Sequence, residues 1–315
     1  MLDDFFFAFY ITAPIFCILG LGIFFKRIGL ITDEFARIGS DLVFKVTLPC
    51  LLFVKIVETD FLHDLPVNLI VYAVVATVLV FLLLDRLVSS SISLPGDRGV
   101  FVQGAYRSNM GIIGLAYCLS AYGEPVVAIV SIYLAVLTTL YNVLAVITLT
   151  RHQEQTSSQG ISSLILKGII KNPLILAISA AVAISLSGFT VPQILLNTGS
   201  YFAQMTLPLA LLCAGASIRI HEFQTSPPLY WATGGKLFFV PLLITVGGIA
   251  IGLRGELLGV LFLMCAAPTA AASYPMAQSM GANHHLAAAI IAATSLGSIV
   301  SSTLGIFLLR VSGLI

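Results

Sequence analysis

Charge is what this chain has least of. Only 9% of its 315 residues are Asp, Glu, Lys or Arg, against roughly one-quarter in a soluble domain, while 58% are hydrophobic. That balance excludes a soluble globular domain and defines a polytopic membrane protein. Carboxylates are absent from the middle of every long apolar stretch, all 14 falling in links or near stretch ends. Their absence argues against a membrane-embedded Asp or Glu as the main proton carrier, and more weakly against a tight cation site. Backbone carbonyls remain as sodium ligands, so proton or sodium coupling stays open. No Walker-type Gly-Lys-Ser/Thr loop is present, so ATP hydrolysis by this chain is not expected. The five histidines, His63, His152, His221, His284 and His285, fall in links or at interfaces, and the adjacent pair cannot share a helix face as an i,i+4 metal pair does. Cys17, Cys50, Cys118, Cys213 and Cys265 lack metal-like spacing and read as small apolar thiols. Enzyme chemistry, a cofactor, a bound metal and a nucleic-acid partner are therefore not expected.

What is there is long apolar runs. Ten segments, about 5–25, 39–57, 67–85, 100–121, 126–149, 167–187, 199–218, 229–252, 256–280 and 285–309, each approach the roughly 20 residues that cross a hydrocarbon core. The first follows Met1-Leu2-Asp3-Asp4, without a basic n-region, and reads as a span rather than a cleaved signal. Lys26, Arg27, Arg37, Arg86, Arg98, Arg151 and Arg219 lie in the links after the odd-numbered spans up to the seventh, with Lys167, Lys171 and Lys236 near the same face. The opposite face has little beyond Arg254, Arg310 and Lys55. The positive-inside bias then places both termini outside the cytoplasm. A polar stretch at 151–166 reads as a cytoplasmic linker between halves 1–150 and 167–315.

The halves share a frame. Pro14, Pro49 and Asn109 are followed 159 residues later by Pro173, Pro208 and Pro268, the middle pair within Thr47-Leu48-Pro49 and Thr206-Leu207-Pro208. Because five spans is an odd number, the second copy enters the membrane from the other side. The fold expected is thus an all-α, ten-helix 5+5 inverted repeat with crossed broken helices, the architecture of a secondary transporter.

The fourth and ninth spans are the interrupted pair. One carries Arg107-Ser108-Asn109-Met110-Gly111, the other Ala267-Pro268-Thr269 and Pro275. Unwound backbone at membrane depth is tolerated only against protein or a wet cavity, so the breaks are expected to cross near a site. Half-helices starting there aim positive dipole ends at the cavity, favouring a carboxylate or other anion. Ser108, Asn109, Met110, Pro268 and Thr269 are candidate substrate contacts. Arg107 reads two ways, as an anion contact or gate, or as an arginine snorkelling to the interface. Lys45 raises the same choice, and both Lys45 and Lys236 are expected to snorkel near the inner membrane face.

Ordered along the chain, Leu48-Pro49 with Leu51-Leu52-Phe53, Arg107-Ser108-Asn109 with Gly111 and Gly114, Leu207-Pro208-Leu209-Ala210-Leu211-Leu212 with Gly215-Ala216-Ser217, Ala267-Pro268-Thr269, and Lys171-Asn172-Pro173 resemble bacterial members of the auxin efflux carrier family. This resemblance covers almost the whole chain. It implies a fold similar to sodium/proton antiporters and bile acid transporters, with a scaffold domain from spans 1, 2, 6 and 7, a transport domain from spans 3–5 and 8–10, and Pro49 and Pro208 at the domain interface as substrate-site residues on the opposing, scaffold wall. The implied activity is export or exchange of a small organic anion, a carboxylate such as malate or an auxin-like acid, by an elevator movement in the bacterial inner membrane. The short central link departs from the long loops of many plant members, so their regulation and auxin specificity do not carry over. A sodium-coupled organic anion symporter, and a membrane sensor that passes no solute, are the rival readings; homodimer formation is left open.

Overall fold

The computed structural model describes residues 1–58, 66–152, 172–218 and 226–315, except for the side chains at 89–91 and 279. Most of the expected linker 151–166 lies outside them. So do Lys167, Lys171, Arg219, Asp60, Asp64, Glu154, Glu222, His63 and His221.

Helices are the only extended elements among the described residues, as expected where lipid cannot satisfy an open strand edge. They are α1 (Leu2–Arg27), α2 (Asp33–Leu42), α3 (Leu48–Glu58), α4 (Val67–Ser91), α5 (Pro95–Tyr106), α6 (Leu115–Tyr122), α7 (Val127–Arg151), α8 (Pro173–Ser187), α9 (Gln193–Ala216), α10 (Pro227–Gly234), α11 (Val240–Ala250), α12 (Gly255–Ala266), α13 (Ser273–Ser279) and α14 (His284–Val311). Three π-helical turns join neighbours into longer rods: Val43–Thr47 links α2 to α3, Met110–Gly114 leads into α6, and Gly235–Phe239 links α10 to α11. Among the described residues, five stretches are long and apolar enough to cross a membrane: Leu2–Arg27, Val67–Val88, Glu124–Arg151, Pro227–Ala250 and His284–Val311. Their outward faces are apolar. Val71, Val75, Leu79 and Leu82 on α4, and Leu296, Val300, Leu304 and Leu308 on α14, are exposed at helical spacing, a surface suited to acyl chains rather than water. Tyr230 and Trp231 at the start of α10 are exposed amphipathic rings of the kind that anchor at a headgroup layer.

Local chemistry sets several helix limits. Thr32 caps α2 by accepting from the Phe35 amide at 3.1 Å, and Asn172 caps α8 by accepting from Leu174 at 2.9 Å with Pro173 in the first turn. The framed prolines behave differently from one another. Pro14 and Pro208 lie within continuous helices, Pro173 opens one, and Pro49 follows the first π-helical turn. Of the landmark positions, only Asn109 and Pro268 sit where a helix is interrupted.

Two sets of helices pack among themselves. In one, α1 runs along α9, and α3 lies against α8 and α9. Gly22 and Gly215 permit the α1–α9 crossing: a methyl group on Gly22 would strike the carbonyl oxygen of Leu212, and one on Gly215 that of Leu19. Small residues at such a crossing bring backbones close enough for dispersion forces, the main attraction available between helices in lipid. In the other set, α5 packs on α4, α7, α10 and α14, while α12 packs on α11, α6 and α14. Contacts of α1 with α14 and of α3 with α7 join the sets, with Thr12 and Thr303 hydroxyls 2.8 Å apart between α1 and α14.

Candidate functional site

Two chain breaks cross in the second set of helices. After α5 ends at Tyr106, residues 107–109 are extended, and after α12 ends at Ala266 the chain is unwound to residue 272. Ser108 and Thr269 pair as a single antiparallel β-bridge. The Asn109 amide donates to the Pro268 carbonyl at 2.7 Å, and the Ala270 amide to the Arg107 carbonyl at 3.0 Å. Side chains repeat the exchange: the Ser108 hydroxyl donates to the Cys265 carbonyl at 3.1 Å, and the Thr269 hydroxyl to the Gly104 carbonyl at 2.6 Å. Each break thus caps the carbonyl end of the opposite half-helix, whose last turn has no intrahelical donors. The Thr269 amide donates in turn to the Thr294 hydroxyl on α14 at 3.1 Å, and the Ser302 hydroxyl to the Ala266 carbonyl at 3.4 Å.

This pattern corrects the local register of the sequence frame. The bonds map onto each other when Ser108 is matched with Thr269, Arg107 with Pro268 and Asn109 with Ala270. The landmark match of Asn109 with Pro268 is two residues out of step. Sequence landmarks locate each interruption, but the hydrogen-bond ladder decides which residues face each other.

A cavity of about 880 Å³ has this crossing at its inner end. Arg107, Ser108, Asn109, Met110 and Ala270–Ala272 line that end, α7 contributes Thr138, Tyr141 and Asn142, and the far wall is Val43, Phe44 and Leu48 with Ala214 and Ser217. Asp33, Glu34, Arg37 and Asp41 lie toward its mouth, on the face where α1 ends and α2 begins. Those mouth charges are balanced locally: Lys26 pairs with Asp33 at 2.6 Å, Lys45 with Asp41 at 2.6 Å, and Arg37 lies 4.0 Å from Glu34.

Arg107 does not snorkel. It lies at the end of α5, whose twelve residues span about 18 Å at 1.5 Å per residue, and it is only 5% exposed. Its guanidinium donates to Gln103 Oε1 at 2.8 Å, to Asn142 Oδ1 at 2.5 Å and to the Met276 sulfur at 3.1 Å. All three partners are neutral. Asn109 is half-buried on the cavity wall, and its side-chain amide makes no hydrogen bond to another described residue. After it, the amides of Met110, Gly111 and Ile112 open the rod that continues into α6, where backbone donors lack intrahelical acceptors.

Other expected positions fall elsewhere. Pro268 and Thr269 are buried behind the wall, where they build the crossing. Pro49 is buried outside the lining and Pro208 is exposed, so the opposing wall comes from Leu48 and from residues about two to three turns beyond Pro208. Lys45 is exposed and engaged with Asp41 rather than lining the cavity. Lys236 is the clearest departure from expectation. Nine residues beyond Pro227, it lies about 13 Å along its rod, too deep to snorkel, and it is completely buried. Its ammonium donates to Ser108 Oγ at 2.5 Å and to the Cys265 carbonyl at 2.8 Å. Gln103 and Asn142 were not singled out by sequence, although each is a polar amide within an apolar run, and that was the available signal.

An all-α membrane chain with two helices broken around a cavity is the architecture of a transport protein. The family described as membrane transport protein matches residues 7–306, and the chain belongs to it. This is the auxin efflux carrier family, a family of transporters and not of enzymes. The chain is 25% identical over 305 residues to the uncharacterized transporter YfdV of Escherichia coli strain K12, covering 94% of this chain and 96% of that protein. Identity and coverage are the same for YfdV of Escherichia coli O157:H7 and of Shigella flexneri.

Proposed function

We propose that the protein is a secondary transporter for a small organic anion and works by elevator-type alternating access in a bacterial inner membrane. One observation carries the anion assignment: Arg107 lies on the cavity wall, and among the described residues its guanidinium has only neutral partners. A cation held at membrane depth without a counter-charge is costly, and a carboxylate entering the cavity would supply that charge. The Asn109 amide and the unsatisfied backbone donors at the start of the second half-helix favour the same sign. A volume of about 880 Å³ accommodates a carboxylate such as malate or an auxin-like acid with accompanying water.

In this reading the helices form the 5+5 inverted repeat, with α2–α3, α5–α6, α10–α11 and α12–α13 each acting as one span. The first packing set, spans 1, 2, 6 and 7, is the scaffold, and the second, spans 3–5 and 8–10, carries the substrate. The cavity lies between them, as an elevator requires: Leu48, Ala214 and Ser217 face it from the scaffold, while Arg107, Asn109 and Asn142 face it from the moving part. The distribution of basic residues supports a mouth on the cytoplasmic side and both termini outside, which in this reading is an inward-open state.

The test is counterflow of radiolabelled carboxylate in vesicles reconstituted with wild-type protein or with Asn109→Ala. That substitution leaves the Asn109 backbone bond to Pro268 in place. Its expected result is folded protein with impaired binding and flux. Undiminished flux would remove Asn109 from the site.

A further inference from the structure

Lys236 is not among the residues that line the cavity. It lies on the other side of Ser108, where the π-helical turn Gly235–Phe239 turns both Lys236 and Leu237 into the protein. Such turns insert one extra residue and are found most often where a helix presents a functional group. The ammonium, the Ser108 hydroxyl and the Cys265 carbonyl form a closed triangle with sides of 2.5, 2.8 and 3.1 Å. Among the described residues no carboxylate pairs with this ammonium.

Two features of the triangle define the chemistry of the position. The Cys265 carbonyl lies in the last turn of α12, the negative end of a helix dipole carrying the equivalent of roughly half an elementary charge. The Ser108 hydroxyl is a second hard oxygen on the opposite break. Unwound carbonyls and half-helix C-termini are the ligands that hold alkali-metal ions in carriers built on broken helices. At the reciprocal position, where the Thr269 hydroxyl donates to the Gly104 carbonyl, no cation bonds either group among the described residues, so the cation belongs to one side of the crossing alone.

We propose that the Lys236 ammonium is a built-in cation of the crossing: it fills the oxygen-lined position between Ser108 and Cys265 that a free alkali-metal ion would otherwise occupy, and so makes the transport cycle independent of sodium. Lys236 is a positioning residue, acting on the site through Ser108. The transport half of this statement rests on the anion-carrier reading; the occupancy half does not.

Occupancy is tested on the purified full chain in detergent, by thermal unfolding in sodium chloride against choline chloride at equal ionic strength. Wild-type protein should unfold at the same temperature in both. Lys236→Ala should unfold several degrees lower in choline and recover saturably with sodium, or with ethylammonium, which restores the missing head group. Lys236→Met keeps the volume of the stem and leaves no room for an ion, so it should be destabilised without any response to cations. A merely structural lysine would lower the unfolding temperature in both variants and show no cation-specific recovery in Lys236→Ala, and that result overturns the proposal. Saturable sodium stabilisation of the wild type, which requires no variant to fold, overturns it as well. Carboxylate counterflow in sodium against choline supplies the transport arm, with equal rates expected. Absence of any carboxylate flux would sink the carrier reading and leave the thermal result standing.

Discussion

Replacing Arg107 by methionine should separate binding from stability, because the structure assigns the two effects opposite signs. Arg107 lines the cavity and its guanidinium bonds neutral partners, so in the proposed complex it is the substrate's counter-charge. One charge-assisted hydrogen bond contributes about 1.5–3 kcal/mol, and each 1.4 kcal/mol is tenfold, so carboxylate affinity should fall about 10- to 150-fold. Stability is governed by other terms. Methionine leaves the buried Gln103 carbonyl without its donor, at a cost of about 1–3 kcal/mol, while the cavity-lining Asn142 can turn to water. Against that, a guanidinium no longer has to be held away from water without a counter-charge, a penalty of several kcal/mol. The substrate-free variant should therefore unfold at or above the wild-type temperature. Arg107→Lys should lie between the two in affinity, since an ammonium keeps the charge but loses the planar fork. The assays are calorimetric titration with a panel of carboxylates and thermal unfolding without ligand. Affinity within about twofold of wild type, together with a lowered unfolding temperature, would refute the argument and make Arg107 a structural tie between α5 and α7.

Two further predictions concern the α1–α9 crossing and the Asp85 cluster. Gly215→Leu places a branched side chain against the Leu19 carbonyl where even a methyl group collides, so α1 and α9 must part; a loss of at least about 1–3 kcal/mol is expected, read by thermal unfolding, and an unchanged midpoint would refute the close crossing. Asp85 on α4 is 2% exposed and accepts from Arg151 at 2.7 Å, His152 at 2.8 Å and Thr148 at 3.2 Å. Asp85→Ala should cost about 1–3 kcal/mol, less than a fully buried pair because Arg151 can reach solvent; hydrogen exchange at the ends of α4 and α7 should rise, and unaltered exchange there would count against the cluster as a tie.

Much of the site's location was legible in sequence, for physical reasons that apply residue by residue. Apolar runs and their interruptions are local properties, so a helix broken at 107–109 and a second broken near 268 could be read from Asn109, Pro268 and their neighbours. The fate of a basic residue in an apolar run is not local. Arg107 and Lys236 each carry a stem able to snorkel, and only the helix starts at Pro95 and Pro227, the π-helical turn and the partners across the crossing show that neither does. Proline is equally ambiguous: Pro14 and Pro208 sit within unbroken helices whose freed carbonyls the surroundings accommodate, so the residue alone did not mark an interruption.

By itself the sequence determined that this is a many-helix membrane chain of a transport family, because hydropathy and motif order need no knowledge of what packs on what. It also determined that no carboxylate falls in the middle of a long apolar run, since an absent side chain cannot be supplied by folding. Tertiary structure alone decided the register of the crossing, where hydrogen bonds match Ser108 with Thr269, and the placement of two cations, one facing the cavity and one locked behind it. Those outcomes depend on distances between residues more than a hundred positions apart, which close only when the two breaks meet.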